Sequence, residues 1–249
     1  MSENAVTVSS AVLENRVIMI NGAAGGLGAA SALACAQAGA TVVLLGRNLP
    51  RLERLYDQLT PIGPVPWLYP LDLQGASPDD YAELAQRIGD NLGRLDGLLH
   101  CAADFPGLTP LELTDPLVFA RTLHVNLTAR VWLTQACLPL LRQRDDAAVV
   151  WVLDDTQRVG KAYWGGYGAA QYAQQGVIHS LHDELHHSPI RVCGLQAAPM
   201  RTPLRARAFT EDTDFVPLPP EHCAVICVEL LSVQGQRWRG QIRHMAAAS

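Results

Sequence analysis

A chain of 249 residues, 49% of them hydrophobic, is long enough to bury a sizeable core. Its net charge of −5, with 17% charged residues, offers no basic footprint for nucleic acid and no polybasic stretch for anionic lipid. The longest apolar stretches are strand-length or interrupted, too short to span a membrane, and residues 1–15 lack the basic-then-apolar pattern of a signal peptide. The six cysteines are scattered, and the only close pair, Cys223 and Cys227, reads as two small core residues on a helix. A reducing, cytoplasmic compartment is therefore expected.

Residues 16–20 form a short β-branched run that reads as a buried strand. The run Asn21-Gly22-Ala23-Ala24-Gly25-Gly26-Leu27-Gly28 follows, and then a small, apolar, helix-prone stretch over 29–38. Strand, glycine turn and helix in this order make a phosphate cradle. Missing Cβ atoms let the backbone approach a pyrophosphate, and the helix N-terminus presents free N–H groups and a favourable dipole. Such a run in another setting is only a tight turn, but here both flanking elements are present.

The alternation continues with a strand at 41–45, the turn Gly46-Arg47-Asn48, a helix to 59, a strand at 65–71 and a helix at 79–92. A strand at 95–102, a long helix over 117–144 and a strand at 148–153 come next. A helix at 165–187, a strand at 190–195, a helix at 219–233 and a short strand at 240–245 complete the pattern. Strands alternating with helices imply right-handed parallel crossovers and a sheet covered on both faces. The expected fold class is α/β, a Rossmann-type doubly wound parallel sheet in one domain spanning residues 1–249. Its ligands should sit at the carboxyl ends of the strands.

Arg47 bears on the cofactor. Dinucleotide folds that select NAD place a carboxylate after the second strand, against the ribose 2′-OH, whereas an arginine there accommodates a 2′-phosphate. No acid occupies this turn, so NADP is favoured over NAD; the competing reading is a solvated surface arginine.

The glycine run, Asp72-Leu73 after the third strand, Asn126 in the long helix and Tyr167 opening a later one recur together in one family. At these spacings the chain resembles the short-chain dehydrogenases/reductases over essentially its whole length. The stretches 159–168 and 201–206 resemble a bacterial YciK-like subgroup of that family. The resemblance implies a seven-stranded sheet, a nicotinamide cofactor, a small-molecule carbonyl substrate, and a homodimer or homotetramer built on the helices carrying Asn126 and Tyr167. By position, Gly22, Gly26, Leu27 and Gly28 would hold the pyrophosphate, Asp72 and Leu73 the adenine, and Ala102 the adenosine side. Thr202 would lie near the carboxamide.

The family's chemistry uses a tyrosine, a lysine four residues later, a serine thirteen residues before, and an asparagine on the preceding helix. Tyr167 and Asn126 stand at two of these positions; Gln171 replaces the lysine and Asp154 the serine. Tyr167 and Gln171 share a helix face, so the glutamine can reach a ribose hydroxyl but cannot supply positive charge. A tyrosine without that charge and beside an aspartate stays protonated, which favours carbonyl reduction, with phenol as acid, over alcohol oxidation. The expected catalytic set is Tyr167, Asn126, Asp154 and Gln171. An alternative is a catalytically silent member that binds a dinucleotide or a protein partner as sensor or scaffold.

Three further features read as structural. His100, where the family has asparagine, reads as a satisfied histidine at a sheet end. Lys161 lacks the helical spacing to replace the missing lysine. His179, His182, His186 and His187 crowd one helix without a third ligand, so no metal is expected.

Overall fold

A computed structural model describes residues 11–208 and 217–245. Its seven strands are β1 (Val17–Asn21), β2 (Thr41–Gly46), β3 (Trp67–Pro70), β4 (Gly97–His100), β5 (Ala147–Leu153), β6 (Ile190–Gln196) and β7 (Ile242–His244). They form one parallel sheet in the order β3-β2-β1-β4-β5-β6-β7. The strand order reverses between β1 and β4, and the crevice of such a sheet opens at the carboxyl ends there.

The helices are α1 (Gly26–Gln37), α2 (Leu49–Leu59), α3 (Pro78–Leu92), α4 (Pro116–Leu123), α5 (Ala129–Leu141), α6 (Thr156–Val159), α7 (Gly165–Glu184), α8 (Pro203–Ala208) and α9 (Pro220–Leu231). Both faces of the sheet are covered, which is why β1 reads as an unbroken apolar run. Ile18 and Ile20 pack among α1, α2 and α9, while Val17 and Met19 pack among α3, α5 and α7. Local chemistry starts these helices where they start. Asn48 caps α2 by accepting from the Arg51 N–H, and Ser77 with Asp80 forms a reciprocal capping box on α3. Gly93, at φ 69°, ends α3 in the left-handed conformation.

The structure corrects several boundaries. The helix expected over 117–144 is divided: α4 ends at Leu123, a π-turn spans His124–Thr128, and α5 runs only to Leu141. The Ala129 N–H bonds back five residues to the His124 carbonyl, while the Asn126 Nδ2 donates to the Thr122 carbonyl at 2.8 Å. A widened turn of this kind is common at functional sites, and an apolar periodicity does not reveal it. Helix α1 begins at Gly26, inside the glycine run, and α7 stops at Glu184. Just past β4 the Asn21 side chain holds the chain, its Oδ1 accepting from the Cys101 and Ala102 N–H groups at 2.9 and 3.0 Å.

A charged cluster lies at the opposite edge of the sheet. Asp146, just before β5, pairs with Arg16 at 2.7 Å and with the fully buried Arg191 of β6. Arg191 also donates to the Leu230 and Ser232 carbonyls, which ties the amino ends of the strands to α9.

Candidate functional site

The carboxyl ends of the strands surround a cleft of about 400 Å³. Its inner wall is the glycine turn. Gly22 has φ +71°, and a Cβ there would stand 2.5 Å from the Ala102 backbone, so only glycine lets β1 and β4 close at this point. Gly25 precedes α1 with no side-chain cap, leaving the first N–H groups of the helix to whatever enters the cleft. That donor set suits a pyrophosphate. Thr202 sits over the turn, since a Cβ on Gly26 would meet its methyl at 2.8 Å.

Gly22, Gly26, Leu27, Arg47, Asp72, Leu73, Ala102 and Thr202 all line the cleft, as do Asp154, Tyr167 and Gln171. Gly28 and Asn126 do not. A Cβ on Gly28 would lie 2.1 Å from the Gly22 carbonyl oxygen, so this glycine permits the close contact of α1 with the turn and does not face a ligand. Asn126 is fully buried and clamps the loop after β4: its Oδ1 accepts from the Asp104 N–H at 3.0 Å, and its Nδ2 donates to the Asp104 carbonyl at 2.7 Å.

At the reacting end, the Tyr167 phenol donates to Asp154 Oδ2 at 3.1 Å. The Asp154 backbone N–H donates to Gln171 Oε1 at 3.0 Å, and Asp154 Oδ1 accepts from the Asp155 N–H at 2.8 Å. Burial, then the Asp154 carboxylate, holds the phenol well above its usual range. Burial also raises the Asp154 carboxyl above the ordinary carboxylate value, against the hydrogen bonds that favour its charged form. The phenol ring is held by Phe105 and Trp164, with centroids 5.4 and 5.8 Å away. Trp164 therefore packs against the tyrosine as a core residue, and Phe105 is a contact that no sequence pattern had singled out.

The raised Asp154 value has a consequence for stability. A carboxyl whose folded pKa lies above its unfolded one stabilises fully below the unfolded value, about 4, and loses that contribution as pH rises through the folded value. Asp154→Asn is therefore expected to match the wild type in Tm near pH 4 and to exceed it increasingly toward neutrality. Thermal melts from pH 4 to 8 check this; parallel curves for the two proteins would contradict it.

Arg130 of α5, which the sequence reading passed over, also lines the cleft although its side chain is buried. It donates to the Ala102 carbonyl, to Gln174 Oε1 at 2.5 Å and to the Val152 carbonyl at 3.2 Å. An arginine four residues after Asn126, on the same face of an otherwise apolar stretch, is the signal that would have revealed it.

His100 is fully buried with both ring nitrogens bonded. Nδ1 pairs with Asn21 Nδ2, which can only donate, so Nε2 carries the proton and gives it to Thr134 Oγ1, both at 2.8 Å. Burial, then Arg130, keeps this ring neutral. Lys161 is exposed and is not part of the cleft wall. Among the described residues no three His, Cys, Asp or Glu side chains are placed to hold a metal ion, and no helix is long and apolar enough to cross a membrane. Arg205 and Arg207 of α8 also line the cleft.

A seven-stranded parallel sheet with a glycine turn at its switch point and a cleft-facing tyrosine defines a dinucleotide-binding class. The short chain dehydrogenase family model matches residues 16–213, and the chain belongs to that family. It is 36% identical to the uncharacterized oxidoreductase YciK of Escherichia coli over 212 residues, 84% of either chain. A solved structure from Pseudomonas syringae superposes with a TM-score of 0.91 at 36% identity, covering 96% of this chain and 97% of that one. Another, from Shigella flexneri and complexed with NADP, gives 0.90 at 32% identity, covering 95% and 99%.

Proposed function

We propose that this protein is an NADP(H)-dependent oxidoreductase working in the direction of carbonyl reduction, with Tyr167 as general acid and residues 1–249 acting as one nucleotide-binding domain. The observation that carries the reading is that one cleft joins an uncapped helix N-terminus, Arg47 and the Tyr167 phenol. The NADP complex of the Shigella flexneri relative supports the same cofactor here. In this reading Gly22, Gly26 and Leu27 hold the pyrophosphate, with Gly28 allowing their approach, and Arg47 takes the 2′-phosphate. Asp72, Leu73 and Ala102 line the adenosine side, and Thr202 lies by the carboxamide.

The bound cofactor supplies the hydride. Tyr167 Oη gives its proton to the substrate oxygen, and Asp154, which accepts the phenol hydrogen bond at 3.1 Å before substrate binds, stands where the family has its serine. An ionised Asp154 repels the developing oxyanion, and burial, which raises its pKa, works against that charge. Gln171 spends its carbonyl on the Asp154 backbone and keeps its amino end for a ribose hydroxyl. Asn126 acts at one remove, by fixing the loop at Asp104. A carbonyl substrate, a cytoplasmic location and a homodimer or homotetramer through α5 and α7 belong to the same reading, with no nucleic-acid or membrane partner.

A second reading, a silent dinucleotide-binding sensor or scaffold, is favoured by one contact: the proton Tyr167 must donate is engaged by a carboxylate. Titration with NADPH and NADH, followed by nucleotide fluorescence and thermal shift, tests the cofactor. NADPH is expected to bind more tightly and to raise Tm. Arg47→Ala should weaken NADPH about 10- to 100-fold, as for a charge-assisted contact of about 1.5–3 kcal/mol, while sparing NADH. Equal loss for both nucleotides would contradict the 2′-phosphate role. A carbonyl and pterin panel with NADPH then separates reductase from sensor, since the sensor turns nothing over.

A further inference from the structure

The family's lysine position is Gln171, so α7 brings no cation to Tyr167. A cation nevertheless reaches this end of the cleft from another element. Arg130 of α5 is 1% exposed and lies where the ends of β4 and β5 meet α7. Burying a guanidinium is costly, and proteins normally offset the cost with a carboxylate. Here its three hydrogen-bond acceptors are all neutral, two backbone carbonyls and the Gln174 amide, and its Nε has no partner among the described residues. The guanidinium is thus held by dipoles while its charge is left uncompensated.

That charge acts on its neighbours. The titratable groups around it are Tyr167 of α7, His100 of β4 and Cys101. His100 stays neutral and burial keeps the Cys101 thiol protonated, so neither cancels the charge. Burial brings Arg130 itself down to about 10, which leaves it charged at neutral pH. Tyr167 therefore stands between opposed groups: Asp154 at the end of β5, itself acted on by Arg205 of α8 and by Asp155, and Arg130 from α5.

We propose that Arg130 is a positioning residue that takes over, from α5, the electrostatic role of the missing α7 lysine, offsetting negative charge on Tyr167 Oη. When the Tyr167 O–H bond breaks and the proton goes to the substrate oxygen, a phenolate is left; Arg130 holds that charge until water returns a proton. The exchange also accounts for Gln171. It lies one helical turn from Gln174, the residue Arg130 grips at 2.5 Å, so a lysine there would set a second cation beside the buried guanidinium. The catalytic consequence rests on the reductase reading; the electrostatic assignment does not.

The test is a titration of Tyr167 in the full chain that requires no turnover. A fluorinated tyrosine incorporated at 167, with a lower intrinsic pKa, is followed by fluorine NMR across pH. Arg130→Met is expected to raise its pKa by about one unit or more, the size of a nearby opposite charge. Adding Gln171→Lys to that variant should bring the value back down. Gln174→Glu keeps the arginine but pairs it with a carboxylate, and should raise the value on its own, so it decides the matter if Arg130→Met does not fold. An unchanged titration in folded Gln174→Glu or Arg130→Met protein overturns the assignment. A shift in a protein that reduces no carbonyl upholds it and overturns only the reductase reading.

Discussion

Tyr167→Phe is expected to lower NADPH-dependent carbonyl reduction about 10²- to 10⁴-fold, the usual contribution of a positioned general acid. The loss should fall on kcat, with NADPH affinity nearly unchanged. The reason lies in how the side chain is held. The ring is fixed by Phe105 and Trp164, contacts that phenylalanine keeps. Only the hydroxyl is lost, and with it the hydrogen bond to Asp154 Oδ2. Asp154 retains the Asp155 N–H and sits in a cleft wall that water can enter, so the stability cost should be about 1 kcal/mol. Steady-state kinetics with NADPH and the best carbonyl of the panel, beside a thermal melt, checks both parts. A variant as active as the wild type would remove Tyr167 from the chemistry.

Gly28→Ala and Gly25→Ala should separate folding from nucleotide binding. The added Cβ at Gly28 would lie 2.1 Å from the Gly22 carbonyl oxygen, a backbone atom that cannot swing aside as a flexible side chain can. Destabilisation of about 3 kcal/mol or more is expected, visible without any ligand. At Gly25 the conformation is ordinary, φ −82°, and the nearest atom to an added Cβ is the Gly22 oxygen at 3.1 Å. That protein should fold close to normally, within about 1 kcal/mol. Its new methyl would nonetheless stand at the edge of the α1 N-terminus, where the pyrophosphate must approach, and NADPH should lose at least about tenfold in affinity. Melts with and without NADPH distinguish the two. Equal melting of both variants, with equal nucleotide stabilisation, would contradict the division of labour between these glycines.

Much of this architecture is legible in the sequence. The β1 run, the glycine turn and α1 are contiguous, and each rests on a rule that acts within a few residues. Tyr167 and Gln171 share a face because a helix places positions four apart together, and both do line the cleft. Asp154 was legible only through family spacing, but its position at the end of β5 brought it to Tyr167. Gly28 shows where such reasoning misassigns a role. Sequence marks it as part of a phosphate-binding turn, whereas its missing Cβ is needed for helix–turn packing. Asn126 was legible as a residue but not in its geometry, because the π-turn around it leaves the apolar pattern intact.

What the sequence determined by itself was the order and type of the elements, the parallel sheet they must form, and the short-range pairs that the α-helical and β-strand periods bring together. Tertiary structure alone decided the electrostatics of the cleft. Arg130 meets Ala102, Val152 and Gln174 across 28, 22 and 44 residues of chain. His100 is bonded on both ring nitrogens by Asn21 and Thr134, from 79 and 34 residues away. Such contacts follow from which strand ends and helix faces the completed sheet packs together, and no local pattern records them. Burial then sets the strength of each charge, because the same guanidinium or phenol interacts weakly in water and strongly when its side chain is buried.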